Sequence, residues 1–84
     1  IDTLNQQLLA LAAYNAGPGR VAQLRRMAVA KGLNPNLWFD NVEIIAAREI
    51  GRETVEYVSN IYKFYASYTA LDYYRSQRGK NLIP

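Results

Sequence analysis

Cysteine and histidine are absent from the chain. Disulfides, thiolate chemistry and the usual sulfur and imidazole metal ligands are therefore excluded. The lack of cysteine fits any compartment. Long hydrophobic runs are missing too: none approaches the roughly 20 residues that span a bilayer, and no charged, apolar, small-residue signal pattern opens the chain. Charge of one sign is scarce. A net charge of +3 favours an anionic partner but is too small, and its bases too dispersed among acids, to indicate nucleic-acid binding. Strand signals are also wanting, with no sustained alternation and no hairpin dipeptide between β-rich runs. No internal repeat or low-complexity segment is found.

What remains is 84 residues, half of them hydrophobic, which reads as one small globular domain or a part of a larger one. Ile1 stands where a methionine would open a complete chain, so sequence is expected before it. Almost every stretch reads helical, and an all-α fold of four or five helices is expected. Thr3 and Gln6 have capping-box spacing, after which Leu4, Leu8, Leu11 and Ala12 share a face. A second helix should turn Val21, Leu24 and Ala28 inward and Arg20, Arg25 and Arg26 outward, stopping at Gly32. Asn34-Pro35 suits a cap and helix start, predicting a short turn through Trp38 and Phe39. Asp40 and Glu43 repeat the capping-box spacing before a short helix that breaks at Gly51. The last and longest helix is expected from about Glu53 to Gln77, with Val55, Val58, Ile61, Tyr65 and Tyr68 forming its seam and packing on the 4–14 helix.

The break between the first two helices is the unusual feature. "AYNAGPG", residues 13 to 19, puts an aromatic and an amide before two glycines that flank a proline. Gly17 is expected to supply a left-handed position, while Pro18 stops one helix and suits the first turn of the next. Such a break either merely punctuates a helical hairpin or holds Tyr14 and Asn15 at a binding wall. Every other tyrosine lies on the last helix: Tyr57, Tyr62, Tyr65, Tyr68, Tyr73 and Tyr74. Rings there either cover a core with their hydroxyls wet, the reading preferred for Tyr62, Tyr65 and Tyr68, or stack on sugar faces.

"ALAAYNAGPGRV" (10–21) resembles the helix-break motif of the lytic transglycosylase SLT domain, a goose-lysozyme-like family that cleaves peptidoglycan. "ETVEYV" (53–58) resembles the same family's later E-T-x-x-Y-V motif. The spacer "GLNPNLWFDNVEIIAAREIG" is similar to the branch of membrane-bound lytic murein transglycosylases with a solute-binding-like domain ahead of the catalytic one. Both motifs stand in family order, and the resemblance covers residues 4 to about 75. The family's earlier Glu-Ser and Gly-Leu-Met-Gln motifs have no counterpart here: no Glu precedes a Ser, and Met27 sits in "RRMAVA". Residues 1–84 are thus expected to be the C-terminal half of such a lysozyme-like helical domain, without the half that carries the catalytic glutamate.

The resemblance implies a parent enzyme that cleaves the MurNAc-β-1,4-GlcNAc bond. One glutamic acid donates a proton to the leaving oxygen, and the muramic 6-hydroxyl closes on the anomeric carbon to leave 1,6-anhydro-MurNAc, a reaction for which the resemblance implies no metal or cofactor. It further implies that Tyr14, Asn15, Gly17 and Tyr57 form the cleft wall: Asn15 bonds an acetamido group or hydroxyl, Gly17 allows the turn, and Tyr57 steadies the absent glutamate. Plainer readings make Asn15 a helix C-terminal cap and Tyr57 a half-buried ring. Glu43, Glu49, Glu53 and Glu56 read as caps and solvated helix charges rather than as the acid. Arg25, Arg26 and Lys31 read as a wet face, with a surface that meets anionic peptidoglycan as the alternative.

Peptidoglycan glycan strands are the implied partner. The implied location is the periplasm, with membrane attachment only through a region before Ile1, at the outer membrane. This half alone is expected to be inactive and to self-associate through uncovered apolar surface. A non-catalytic saccharide-binding helical module is the alternative, and a basic nucleic-acid-binding domain ranks last.

Overall fold

Asp2 starts the first helix. In this computed structural model, which describes residues 1–82 and side-chain surroundings through Arg78, α1 spans Thr3–Ala16. The Asp2 carboxylate accepts from the Asn5 backbone N–H at 2.7 Å and from Asn5 Nδ2 at 2.9 Å. The cap therefore sits one residue before the expected Thr3, and its partner is Asn5 rather than Gln6. Asp2 holds its proton less readily than an ordinary carboxylate, first because of the Asn5 backbone bond and then its side-chain bond.

Gly17 ends α1 and begins the next helix. Its N–H bonds the Ala13 carbonyl at 2.8 Å, and its own carbonyl accepts from Val21 at 3.1 Å. Its φ is positive as expected, but φ 98° with ψ 141° lies outside the left-handed helical basin, in space open to glycine alone. That more extended link lets Pro18 open α2 (Pro18–Ala30) at once. Val21, Leu24 and Ala28 turn inward as expected. The end of α2 satisfies two of its carbonyls through the following turn: Gly32 N–H meets Val29 at 3.0 Å and Leu33 N–H meets Ala28 at 2.8 Å.

The 33–42 connection carries no helix at Pro35. The Asn34 side chain accepts from Asn36 N–H, making a local Asx turn, and Asn41 Oδ1 accepts from Asn34 N–H. Arg25 is not part of a wet face: it donates through Nε to the Pro35 carbonyl at 2.8 Å and from its guanidinium to Asn36 at 2.7 Å. Trp38 then enters the core, 0 % exposed, with its backbone N–H bonded to buried Asn5 Oδ1 at 2.8 Å. Asp40 takes a left-handed conformation and is no cap; only half of the expected box forms, with Glu43 accepting from Asp40 N–H at 3.1 Å.

Short α3 (Glu43–Glu49) buries Ile45 and Ala46 and breaks before Gly51. Helix α4 (Arg52–Leu82) runs 31 residues and passes the expected end at Gln77. No strand occurs among the described residues. The core joins Leu8, Leu9 and Ala12 of α1 to α2, Trp38, Val42, α3 and Val58 of α4. Helix α4 packs on α1 through its first half, and its second half departs from the expected seam. Tyr65 and Tyr68 are exposed, as are Phe64, Leu71, Tyr73 and Tyr74, and Leu4 of α1 beside them. The radius of gyration is 16.4 Å, against about 12 Å for a compact chain of this length.

Candidate functional site

The end of α1 and the first turns of α4 meet at one corner, and the residues of both sequence motifs meet there with them. The Tyr14 and Tyr57 ring centroids are 6.5 Å apart with 16° between planes, an offset parallel stack. Tyr57 is half-buried against the core, whereas Tyr14 is 83 % exposed. A large ring held that far out gains little from burial, so its position is set by the stack and by the helix end that carries it.

Asn15 lies next to this pair and engages α4. Its Oδ1 accepts from Thr54 Oγ1 at 2.6 Å across 39 residues of sequence. The C-terminal cap of α1 is Gly17, so the Asn15 side chain serves a tertiary bond rather than the capping reading. Thr54 is only 4 % exposed. Thr54 is the fixed threonine of the second motif, which the sequence reading left without a role, and it precedes Val58 by one helical turn and so shares its buried face. Gly17 and Gly19 both have open space where a Cβ would stand. The requirement for glycine at Gly17 is therefore conformational, and nothing in the structure requires it at Gly19.

The four sequence-predicted wall residues thus fall in one region, Tyr14, Asn15 and Tyr57 on its surface and Gly17 in the turn that orients them. The glutamates lie apart from any buried, apolar setting. Glu56 pairs with Arg52 at 3.5 Å in the open, Glu49 and Glu53 are exposed, and Glu43, at the start of its helix, accepts from Asp40 N–H. Among the described residues there is no cluster of acidic, histidine or cysteine side chains fit to hold a metal ion, and no helix is long and apolar enough to cross a membrane.

A separate apolar groove runs between the start of α1 and the middle of α4. Leu4, Leu8, Leu11, Ile61, Tyr62 and Tyr65 line a cavity of about 430 Å³. It continues past Leu4, Tyr62 and Tyr65 toward Ala70 and Tyr73. Tyr62 also makes an edge-to-face contact with Phe39, centroids 5.0 Å apart.

No family model matches the chain, and no solved structure matches it. Curated relatives do. The membrane-bound lytic murein transglycosylase F of Shewanella woodyi is 34% identical over 82 residues, covering 81% of this chain and 17% of the relative. The protein of the same name from Stutzerimonas stutzeri is 34% identical over 80 residues, covering 77% and 16%. That of Pseudomonas fluorescens is 37% identical over 71 residues, covering 67% and 14%. The chain therefore spans less than a fifth of the length of these relatives. Over most of its own length, this chain is a homologue of the membrane-bound lytic murein transglycosylases F.

Proposed function

We propose that this chain is the C-terminal half of a lysozyme-like catalytic domain and forms one wall of the glycan cleft of a peptidoglycan lytic transglycosylase. One observation carries the reading: the tyrosine and asparagine of the first motif and the tyrosine of the second assemble at one corner, in a chain homologous to murein transglycosylases. Tyr14 offers an exposed ring face to sugar C–H surfaces. Asn15 offers an amide to an acetamido group. Gly17 keeps both at the surface by its glycine-only backbone.

Bond cleavage then requires a protonated carboxylic acid at the glycosidic oxygen. In this reading the acid is a glutamate that precedes Ile1 in the parent chain, and the Tyr57 hydroxyl bonds it. The muramic 6-hydroxyl attacks the anomeric carbon, the glycosidic bond breaks, and the acid gives its proton to the leaving 4-oxygen. The hydroxyl proton leaves with the conjugate base, so the acid is restored and a 1,6-anhydro end remains. Peptidoglycan glycan strands are the substrate. The working place is the periplasmic face of a membrane, the outer membrane in the finer form of the proposal, with attachment through a region outside these residues.

The test is to incubate the full-length parent with murein sacculi and to measure 1,6-anhydromuropeptides by mass spectrometry. Asn15→Ala should lower their release far more than it lowers the melting temperature. Saccharide binding with no anhydro product from the intact parent would support instead a non-catalytic binding module.

A further inference from the structure

The Thr54–Asn15 hydrogen bond does more than join two helices, because its length fixes which way the asparagine amide faces. The two heavy atoms are 2.6 Å apart. That separation is ordinary for O–H···O and short for N–H···O, whose usual distance is about 2.9–3.0 Å. The amide oxygen therefore faces Thr54, and the NH₂ group faces away. Thr54 is buried, so no water competes for its hydroxyl, and a buried hydroxyl proton needs an acceptor. Among the described residues no hydrogen bond engages Asn15 Nδ2, and Nδ2 is not among the buried unpartnered atoms. It thus reaches the surface with its donors free, beside the Tyr14–Tyr57 stack.

We infer that Thr54 is a positioning residue: it holds the Asn15 amide so that the site presents a hydrogen-bond donor, and so selects glycan units bearing a carbonyl acceptor, the N-acetyl group, over de-N-acetylated units. The inference rests on the cleft-wall reading above. A glucosamine unit would bring an ammonium donor against the Asn15 donors, two groups with no lone pair to share. An N-acetyl carbonyl satisfies them.

The experiment uses the full-length parent and two readouts. In the first, Thr54→Val should lower release of 1,6-anhydromuropeptides from sacculi on the order of tenfold, the worth of one hydrogen bond. Thr54→Ser, which keeps the donor, should restore turnover, and in an Asn15→Ala background Thr54→Val should cost nothing further. A fall in melting temperature with turnover per folded molecule unchanged would reduce the bond to a strut and overturn the inference. An equal loss of turnover in the Asn15→Ala background would do the same.

The second readout does not need turnover. With ¹⁵N-labelled asparagine, the side-chain NH₂ pair absent from Asn15→Ala is followed by NMR during titration with the N-acetylglucosamine tetramer and with the glucosamine tetramer. The inference requires a shift with the first, none with the second, and loss of the discrimination in Thr54→Val. Equal responses to both sugars, or no response to either, overturn it. An intact parent that releases no anhydro product but passes the NMR test would sink the catalytic proposal and leave the Thr54 inference standing.

Discussion

Tyr14 and Tyr57 stack at 6.5 Å although one closes α1 and the other belongs to the second turn of α4. The pair divides the labour of the site: the Tyr57 ring is anchored on the core, and the Tyr14 ring lies exposed upon it. Tyr57→Phe keeps the ring and removes only the hydroxyl. In the intact parent it should leave the melting temperature nearly unchanged and lower anhydromuropeptide release by ~10²–10⁴-fold if the hydroxyl governs the general acid. Unchanged turnover would limit Tyr57 to its stacking contact.

The two glycines of the break should respond in opposite directions. Gly17→Ala forces a side chain into φ 98°, ψ 141°, and the strain should cost about 1–3 kcal/mol. Gly19 lies inside α2 with open space around it, so Gly19→Ala should be neutral or stabilise by up to about 1 kcal/mol. Urea denaturation of the two variants separates a conformational requirement from a steric one. Equal destabilisation by both would refute it.

Asp2 predicts a pH dependence. Its folded carboxyl is acidified by the Asn5 bonds, so the cap contributes stability above the unfolded pKa, about 4. That contribution is lost as pH falls through the lower folded value. Asp2→Ala should therefore lower the melting temperature at pH 7, and the gap from wild type should close progressively below about pH 4. A gap that persists unchanged at pH 2 would show that the carboxylate charge is irrelevant to the cap.

Exposed Tyr65, Tyr68, Leu71 and Tyr73 on α4, with Leu4 of α1, leave an apolar stripe of the kind that finds partners. Prepared alone, the 84-residue segment should sediment as a dimer or larger species. Tyr65→Lys with Tyr68→Lys should return it toward monomer. A monodisperse monomer of the unaltered segment in dilute solution would show that the stripe is tolerated by water.

The isolated segment should also release no 1,6-anhydromuropeptides. Its glutamates lie on exposed helix faces or at a helix start, none of them in the enclosed apolar pocket that a general acid needs. Product above a no-protein control that vanishes in Glu43→Gln or Glu53→Gln would place the acid within these residues.

The sequence by itself determined the helices and the break. Apolar periodicity placed Val21, Leu24, Ala28 and Val58 on buried faces, because a helix with one apolar stripe has a single way to hide it. Proline and glycine at Pro18 and Gly17 dictated where α1 yields to α2, since neither backbone restriction depends on surroundings. Tyr14, Asn15 and Tyr57 were legible as a group only through two short motifs, not through any local physical signal. Tertiary structure decided the rest. Periodicity could not tell that the Tyr65 and Tyr68 seam has no helix against it among the described residues, because a stripe reports what a helix can bury, not what is there to bury it. Nor could spacing show that Arg25 would hold Pro35 and Asn36, or that Trp38 would hang from Asn5, since those bonds join residues brought together by the folded loop. The same holds for Thr54 and Asn15. Their facing was settled by where α4 lies on α1, and with it the orientation of an amide that a one-dimensional chain leaves free to turn.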